Sequence, residues 1–275
     1  MINFKGIYKG NDLSNSDYHA EKEHLSSSNL KVLLKDTAKF YEEKVLGNKV
    51  NETKSCFDEG SFVHALILEP HLVNEEFVMF EGFRKAGNEW DNFLSLERAG
   101  KNRTILSKPA WMRCIRLVEG YRNHPIASDM VKNSEKEFSL FLDFLDVPIK
   151  VRADAIDIHN GIIIDVKTTS HAIDKDSFTY TVKDFDYGLS AALYTKMFEE
   201  YYGKPFSFYW VVLGKKDFSC EVYKMSEATR EAGNTKILNA ISVYKECKKS
   251  GNWTKKSLDT LKKIVYNGIY EIVEI

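Results

Sequence analysis

Val151-Arg-Ala-Asp-Ala-Ile-Asp-Ile-His-Asn-Gly-Ile-Ile-Ile-Asp-Val-Lys167 is the stretch on which the fold of this chain turns, because it reads as two strands joined by a tight bend. Asn160-Gly161 is a strong hairpin signal, since a type I′ turn needs positive φ at both central positions. A two-residue loop there pairs His159 with Ile162, and hence Ile156 with Asp165 and Asp154 with Lys167. Side chains alternate with period two, so Asp154, Asp165 and Lys167 are expected on one face, with Asp154 directly across from Lys167 and diagonal to Asp165. A loop one residue longer would turn Asp154 to the opposite face. The run Ile162-Ile163-Ile164 predicts a second strand buried on both sides. Carboxylates at the end of such a strand are costly unless a cation pairs with them.

The chemistry follows from charge. Hard oxygen ligands suit Mg²⁺ or Mn²⁺, which keep several waters and share their remaining positions with substrate phosphate. A lysine beside them can stabilise negative charge or position a water. The same three residues are also what a solvated Asp/Lys cross-strand pair looks like, so the hairpin alone leaves both readings open.

Outward from the hairpin the pattern is α/β, without internal repeats. Ser26 to Ser28 offer N-caps for a helix through about Leu46, stopped by Gly47-Asn48. Gly60 to Leu68 reads as a helix whose apolar face holds Phe62, Val63 and Leu66, and His64 there is either a core residue or a ligand. Phe80 to Lys108 is rich in turns and charges. Ser107 and Pro109 suit the start of a helix towards His124-Pro125. Glu137 opens the alternating strand Phe138 to Phe144, where a solvated carboxylate is the default. A helix from Tyr187 closes near Gly203, and Tyr187, Ala191, Tyr194 and Phe198 form its packing stripe or, for Tyr194, a substrate contact. Phe206 to Leu213 and Phe218 to Met225 are strands about the turn Gly214 to Asp217. Ser226 caps a long helix to about Ser250, and residues 258–275 are mixed in pattern.

Asp154 followed by Asp165-Val166-Lys167 resembles the signature of the PD-(D/E)XK nuclease superfamily, with Ala153 where the name has proline. Gly60-Ser-Phe-Val-His64-Ala-Leu-Ile-Leu-Glu69-Pro70 resembles the glycine, histidine and Leu-Glu-Pro block of RecE-type (exonuclease VIII) phage and prophage recombination exonucleases. Tyr18-His19 with Ser26-Ser27-Ser28-Asn29-Leu30 is similar to their amino-terminal region, Glu137-Phe138-Ser139 to the acidic position before their first core strand, and Tyr187 to Tyr194 to their tyrosine-bearing helix. The similarity covers nearly the whole chain in the correct order. One position departs: the family usually has glutamine where this chain has Ser190.

The resemblance implies a single domain over residues 1–275, with a mixed central sheet flanked by helices. Residues 1–130 would be mainly helical, 131–225 the catalytic sheet core and 226–275 a helical tail. It implies Asp154, Asp165 and the Val166 carbonyl as metal ligands, Glu137 and His64 assisting, Lys167 as the catalytic ammonium, and Tyr194, Ser190 and Arg152 on the substrate. The implied activity is Mg²⁺-dependent degradation of linear double-stranded DNA from 5′ ends, leaving 3′ single strands for recombination. The implied partners are DNA ends, a single-strand annealing protein and further copies in a ring-like homo-oligomer. An endonuclease on the same core, or a silent DNA-binding or assembly subunit, are the alternatives.

Composition is compatible with these expectations. The chain of 275 residues is 43% hydrophobic and can bury roughly three-quarters of its unfolded surface. Cys56, Cys114, Cys220 and Cys247 are too dispersed for a zinc or iron–sulfur motif and read as reduced cytoplasmic thiols. No apolar run reaches the roughly 20 residues that span a bilayer, and the start lacks a signal-peptide core. With 39 basic against 40 acidic side chains, global basicity is absent, and any DNA contact must be local. Arg84, Lys85, Lys101, Arg103, Arg113, Arg116, Lys150 and Arg152 are the candidates. His19, His24, His71, His124, His159 and His171 show no ligand spacing.

Overall fold

The computed structural model describes residues 4–48, 55–82 and 84–254. Its strands are β1 (Gly6–Tyr8), β2 (Phe77–Phe80), β3 (Thr104–Ser107), β4 (Glu135–Phe144), β5 (Val147–Asp157), β6 (Ile162–Thr169), β7 (Ser207–Gly214) and β8 (Cys220–Lys224). Its helices are α1 (Asn15–Ala20), α2 (Ser27–Lys35), α3 (Thr37–Phe40), α4 (Ser55–Leu68), α5 (Val73–Glu76), α6 (Asn88–Ala99), α7 (Lys108–Asn123), α8 (Pro125–Lys132), α9 (Lys175–Asp184), α10 (Tyr187–Tyr202) and α11 (Glu227–Ser250). The main sheet has six strands in the order β1-β4-β5-β6-β7-β8. Only the β6–β7 pairing within it is parallel, so the fold is a mixed α/β sheet with helices on both faces. β2 and β3 form a separate parallel pair.

The central position of β6 follows from its sequence. Ile163 enters one core layer, with Leu30 and Leu33 of α2, Leu193 and Met197 of α10 and Ile237 of α11. Ile164 and Val166 enter the other, with Phe62 and Val63 of α4 and Cys114 and Leu117 of α7. A strand that must satisfy two layers is apolar on both faces, which is what the isoleucine run predicts.

The hairpin differs from expectation in its loop. Ala155, Ile156 and Asp157 pair with Ile164, Ile163 and Ile162, so the loop has four residues, 158–161, and the register is shifted by two. Gly161 alone takes positive φ there, at 65°. Asn160 instead donates its backbone N–H and its side-chain amide to the Asp157 carboxylate, at 3.0 and 2.6 Å, an Asx-type turn in place of type I′. Because the shift is even, no side chain changes face.

Two other expectations are corrected. The first helix breaks at Asp36, whose backbone is extended (φ −158°) and whose side chain accepts from Lys39 N–H to start α3. The region 80–108 holds α6 and β3. From the amino-terminal part, β1 joins the central sheet by pairing with β4. Residues 258–275 lie outside those described. Among the described residues no helix is long and apolar enough to cross a membrane, and Cys114, Cys220 and Cys247 are buried.

Candidate active site

Beyond Ala155 and Ile164 the β5–β6 ladder stops. One further step in register would set Asp154 against Asp165. There the strands part, and the Val166 N–H donates to Asp154 Oδ2 at 2.7 Å, a side chain taking the place of a ladder partner. An extended residue presents its N–H and C=O to the same edge, so the Val166 carbonyl faces this gap too. On the other flank, β4 pairs with β5 at Lys136–Ala155 and at Phe138–Ala153. Glu137 between them, opposite Asp154, adopts φ 47° and leaves the ladder. Glu137, Asp154 and Asp165 thus form a row across three adjacent strands, in place of the expected diagonal with Asp154 opposite Lys167.

Lys167, two residues along β6, returns its Nζ to 2.6 Å from Asp165 Oδ2. From α4, His64 Nδ1 comes to 3.6 Å from Asp154 Oδ2. The residues grouped on the sequence therefore do lie together, although by a different pairing.

Glu137 and Asp154 of the row, with Lys167, line the floor of a cleft of about 640 Å³. One wall comes from α4 (Gly60, Ser61, His64), another from Phe185, Tyr187 and Tyr194 at and along α10, and a third from Asn15, Tyr18 and His19 of α1. Lys167, Thr168 and Thr169 of β6 line it with Glu69, Glu76, Glu137, Arg152 and Asp154. Towards Glu75, Lys101 and Arg103 it meets a second groove that shares Glu69 and Glu76.

Burial and crowding set the electrostatics. Burial pushes the Glu137 carboxyl up to about 8, with Asp154 and Glu69 adding repulsion and Arg152 opposing. Burial also raises Asp165, against the Lys167 ammonium. For Lys167, burial works against its charge, but Asp165 and Asp154 outweigh it and hold the ammonium above the ordinary lysine value. Tyr194 is buried and raised for that reason, and its hydroxyl interacts with Ser27. Anionic oxygens held this way favour a counter-cation.

The donor set fits a hard divalent ion. Among the described residues no three His, Cys, Asp or Glu side chains close around one point. Mg²⁺ does not need such a cluster, being commonly held by one or two carboxylates and retaining waters for exchange with phosphate. Asp154, Asp165 and the Val166 carbonyl would hold it, with Glu137 and His64 near its waters.

Other expected contacts fall differently. Arg152 is buried and committed: Nε donates to Ser139 Oγ at 2.7 Å, Nη2 to the Leu13 carbonyl at 2.9 Å, and Nη1 lies 3.8 Å from Glu137. Its guanidinium also covers the Tyr18 ring at 4.3 Å. It is a support for Glu137 and the α1 wall rather than a free substrate contact. Ser190 lies between Tyr187 and Tyr194 on one helical face, but only the two tyrosines line the cleft. Most of the basic candidates are tied down elsewhere: Arg103 to Glu97, Arg113 to Glu59, Lys85 to the Ile105 carbonyl, Arg116 over Phe218, and Lys150 to Glu21. The sequence reading missed Lys31, Glu76, Lys215, Phe185 and His171 at or beside the cleft. Glu69 was signalled by the Leu-Glu-Pro block and His19 by the Tyr18-His19 pair, whereas His171 reaches the rim through the fold alone.

Comparison with known proteins agrees with this architecture. A family described as a PDDEXK-like domain of unknown function (DUF3799) matches residues 26–260. The crystal structure of a protein described as a "Putative exonuclease" from Eubacterium rectale superposes with a TM-score of 0.63 at 14% identity, covering 96% of each chain. A structure of the protein SSO0001 gives a TM-score of 0.30 at 14% identity over 87% of this chain and 95% of that one, too low to inform the fold. No curated protein matches the chain.

Proposed function

The chain belongs to the PDDEXK-like family of unknown function DUF3799, and from that premise we propose that it is a metal-dependent deoxyribonuclease working at the floor of the cleft. The observation that carries this reading is the row Glu137, Asp154, Asp165 with Lys167 Nζ 2.6 Å from the last of them. A structural salt bridge needs one carboxylate, and three held against their own repulsion are useful only where positive charge must gather.

A Mg²⁺ or Mn²⁺ ion bound there would offset charge on a phosphodiester and favour hydroxide over water as the nucleophile. The protein groups do the positioning. Val166 N–H orients Asp154, Arg152 steadies Glu137, and Asp165 aims the Lys167 ammonium. Lys167 stays protonated through the neutral range, so its remaining N–H bonds can meet charge that builds on a phosphoryl oxygen or hold the attacking water. The Tyr187 ring, 5.4 Å from Nζ, limits its movement.

The finer reading is an exonuclease. It degrades linear duplex from 5′ ends, leaves 3′ single strands and works with a single-strand annealing protein, as a ring-like oligomer. Resemblance to the RecE-type enzymes supports it, as does the shared fold of the protein described as an exonuclease. The test is release of acid-soluble nucleotides from linear duplex with and without Mg²⁺, beside closed circular DNA. Release from linear DNA alone is expected, and nicking of the circle would turn the reading to an endonuclease. Asp165→Asn should lower cleavage at least about a hundredfold in a folded protein. Wild-type cleavage by that variant would remove the assignment.

A further inference from the structure

The α9–α10 junction holds an aromatic side chain out of the core on a backbone that is firmly tied. Phe185 ends α9 with 51% of its surface exposed, lines the cleft mouth, and stacks on Tyr187 with ring centroids 5.6 Å apart and planes 22° from parallel. Its carbonyl accepts from Lys31 Nζ at 2.9 Å. The next residue, Asp186, takes φ 51° and pairs with Lys35 and with Lys236. A left-handed non-glycine residue costs about 1 kcal/mol or more, and it persists here because lysines from α2 and α11 clamp it. Single exposed apolar residues are ordinary. One that is rigidly presented and stacked from behind, with lysines and their acidic partners around it, is a preformed surface.

The chemistry of that surface fits one kind of ligand. Phe185 is half exposed, Tyr187 behind it lies between Lys31 (5.5 Å) and Lys167 (5.4 Å), and Lys183 and the Asp186-paired Lys35 are exposed. A flat aromatic face beside cations is how single-stranded nucleic acid is held, bases stacking and phosphates pairing. The cleft volume points the same way. About 640 Å³ is the size of a small-ligand pocket, which suits a terminal nucleotide or two of a strand entering it.

Resting on the nuclease reading, we infer that Phe185, backed by Tyr187, is a stacking platform for an unpaired base at a strand end, so that the cleft receives frayed rather than paired termini. The substrate class is thereby narrowed to a single-stranded terminal segment of DNA.

The experiment uses oligonucleotides with 2-aminopurine at the terminal position, with and without a mismatched end, and the full chain. Binding is read without divalent metal, by fluorescence change on stacking, and cleavage with Mg²⁺. Phe185→Ala is expected to weaken binding of a frayed end about 5- to 150-fold, to abolish the fluorescence change, and to erase the preference of the wild type for frayed over blunt ends. Phe185→Trp should retain all three. Tyr180→Ala, which removes a 69% exposed aromatic that does not line the cleft, should behave as wild type. If the wild type binds and cuts but shows no preference for frayed ends, or Phe185→Ala matches it, the platform is refuted and the nuclease reading stands. If the wild type neither binds nor cuts DNA under any of these conditions, both fall together.

Discussion

Glu137→Gln should make the metal-free protein more stable and less active, and the size of the gain can be worked from the site. The carboxyl is pushed from 4.5 to about 8, first by burial and then by Asp154 and Glu69. A carboxyl raised on folding contributes stability that is fully present below its unfolded value and lost as pH climbs through the folded one. The interval from 4.5 to about 8, at about 1.4 kcal/mol per pH unit, sets a ceiling of about 5 kcal/mol. The Glu137 side chain keeps 14% of its surface in solvent and the site can relax as charge builds, so somewhat under half of that ceiling, about 2 kcal/mol, is expected. Gln keeps the shape and the φ of 47°, so strain is unchanged and the difference reports charge. Urea unfolding of both proteins near pH 4.5 and above pH 8, in chelator, measures it. The two should converge in acid and separate in base, while cleavage by the variant falls. A stability difference that is flat across that range, or of opposite sign, would refute the claim that a buried carboxylate is the burden.

Two further outcomes test the walls of the site. Lys150 is buried, bonds the Tyr18 and Glu21 carbonyls at 2.5 and 2.6 Å, and pairs with Glu21 at 3.0 Å. Lys150→Met should therefore cost about 3–5 kcal/mol in urea unfolding, and retention of wild-type stability would show that α1 needs no such anchor. Gly233 sits where α11 crosses α10, and an added Cβ would lie 2.4 Å from the Gly188 carbonyl oxygen and 2.6 Å from Ala192 Cβ. Gly233→Ala is expected to lower the urea midpoint, by about 1–3 kcal/mol in stability. An unchanged midpoint would mean that α10 moves freely, and with it Tyr187 and Tyr194.

Local rules read the fold well where one element's chemistry suffices. The isoleucine run at 162–164 announces a strand covered on both faces, Ser226 caps α11, and Gly203 ends α10 with φ 64°. They fail where a competing local bond wins. Asp36 prefers to cap α3 over continuing α2, and Asn160 bonds Asp157 instead of entering the left-handed region that a type I′ turn needs. Neither choice leaves a mark in hydrophobic periodicity.

The site shows why membership was legible while geometry was not. Parity decides which face a strand residue takes, and a loop error of two residues preserves it, so Asp154, Asp165 and Lys167 could be gathered correctly from a wrong register. What parity cannot reach is the departure from the ladder: Glu137 in a left-handed conformation inside a strand, and Asp154 accepting the Val166 amide that a neighbouring strand would otherwise take. Both depend on groups distant in sequence, since Arg152 that steadies Glu137 is itself fixed by Ser139, Leu13 and the Tyr18 ring. A sheet that paired perfectly through this level would keep its amides and carbonyls for itself. The acids can face a shared gap only because two ladders give way at the same step, so the broken pairing is part of how the cleft acquires its chemistry.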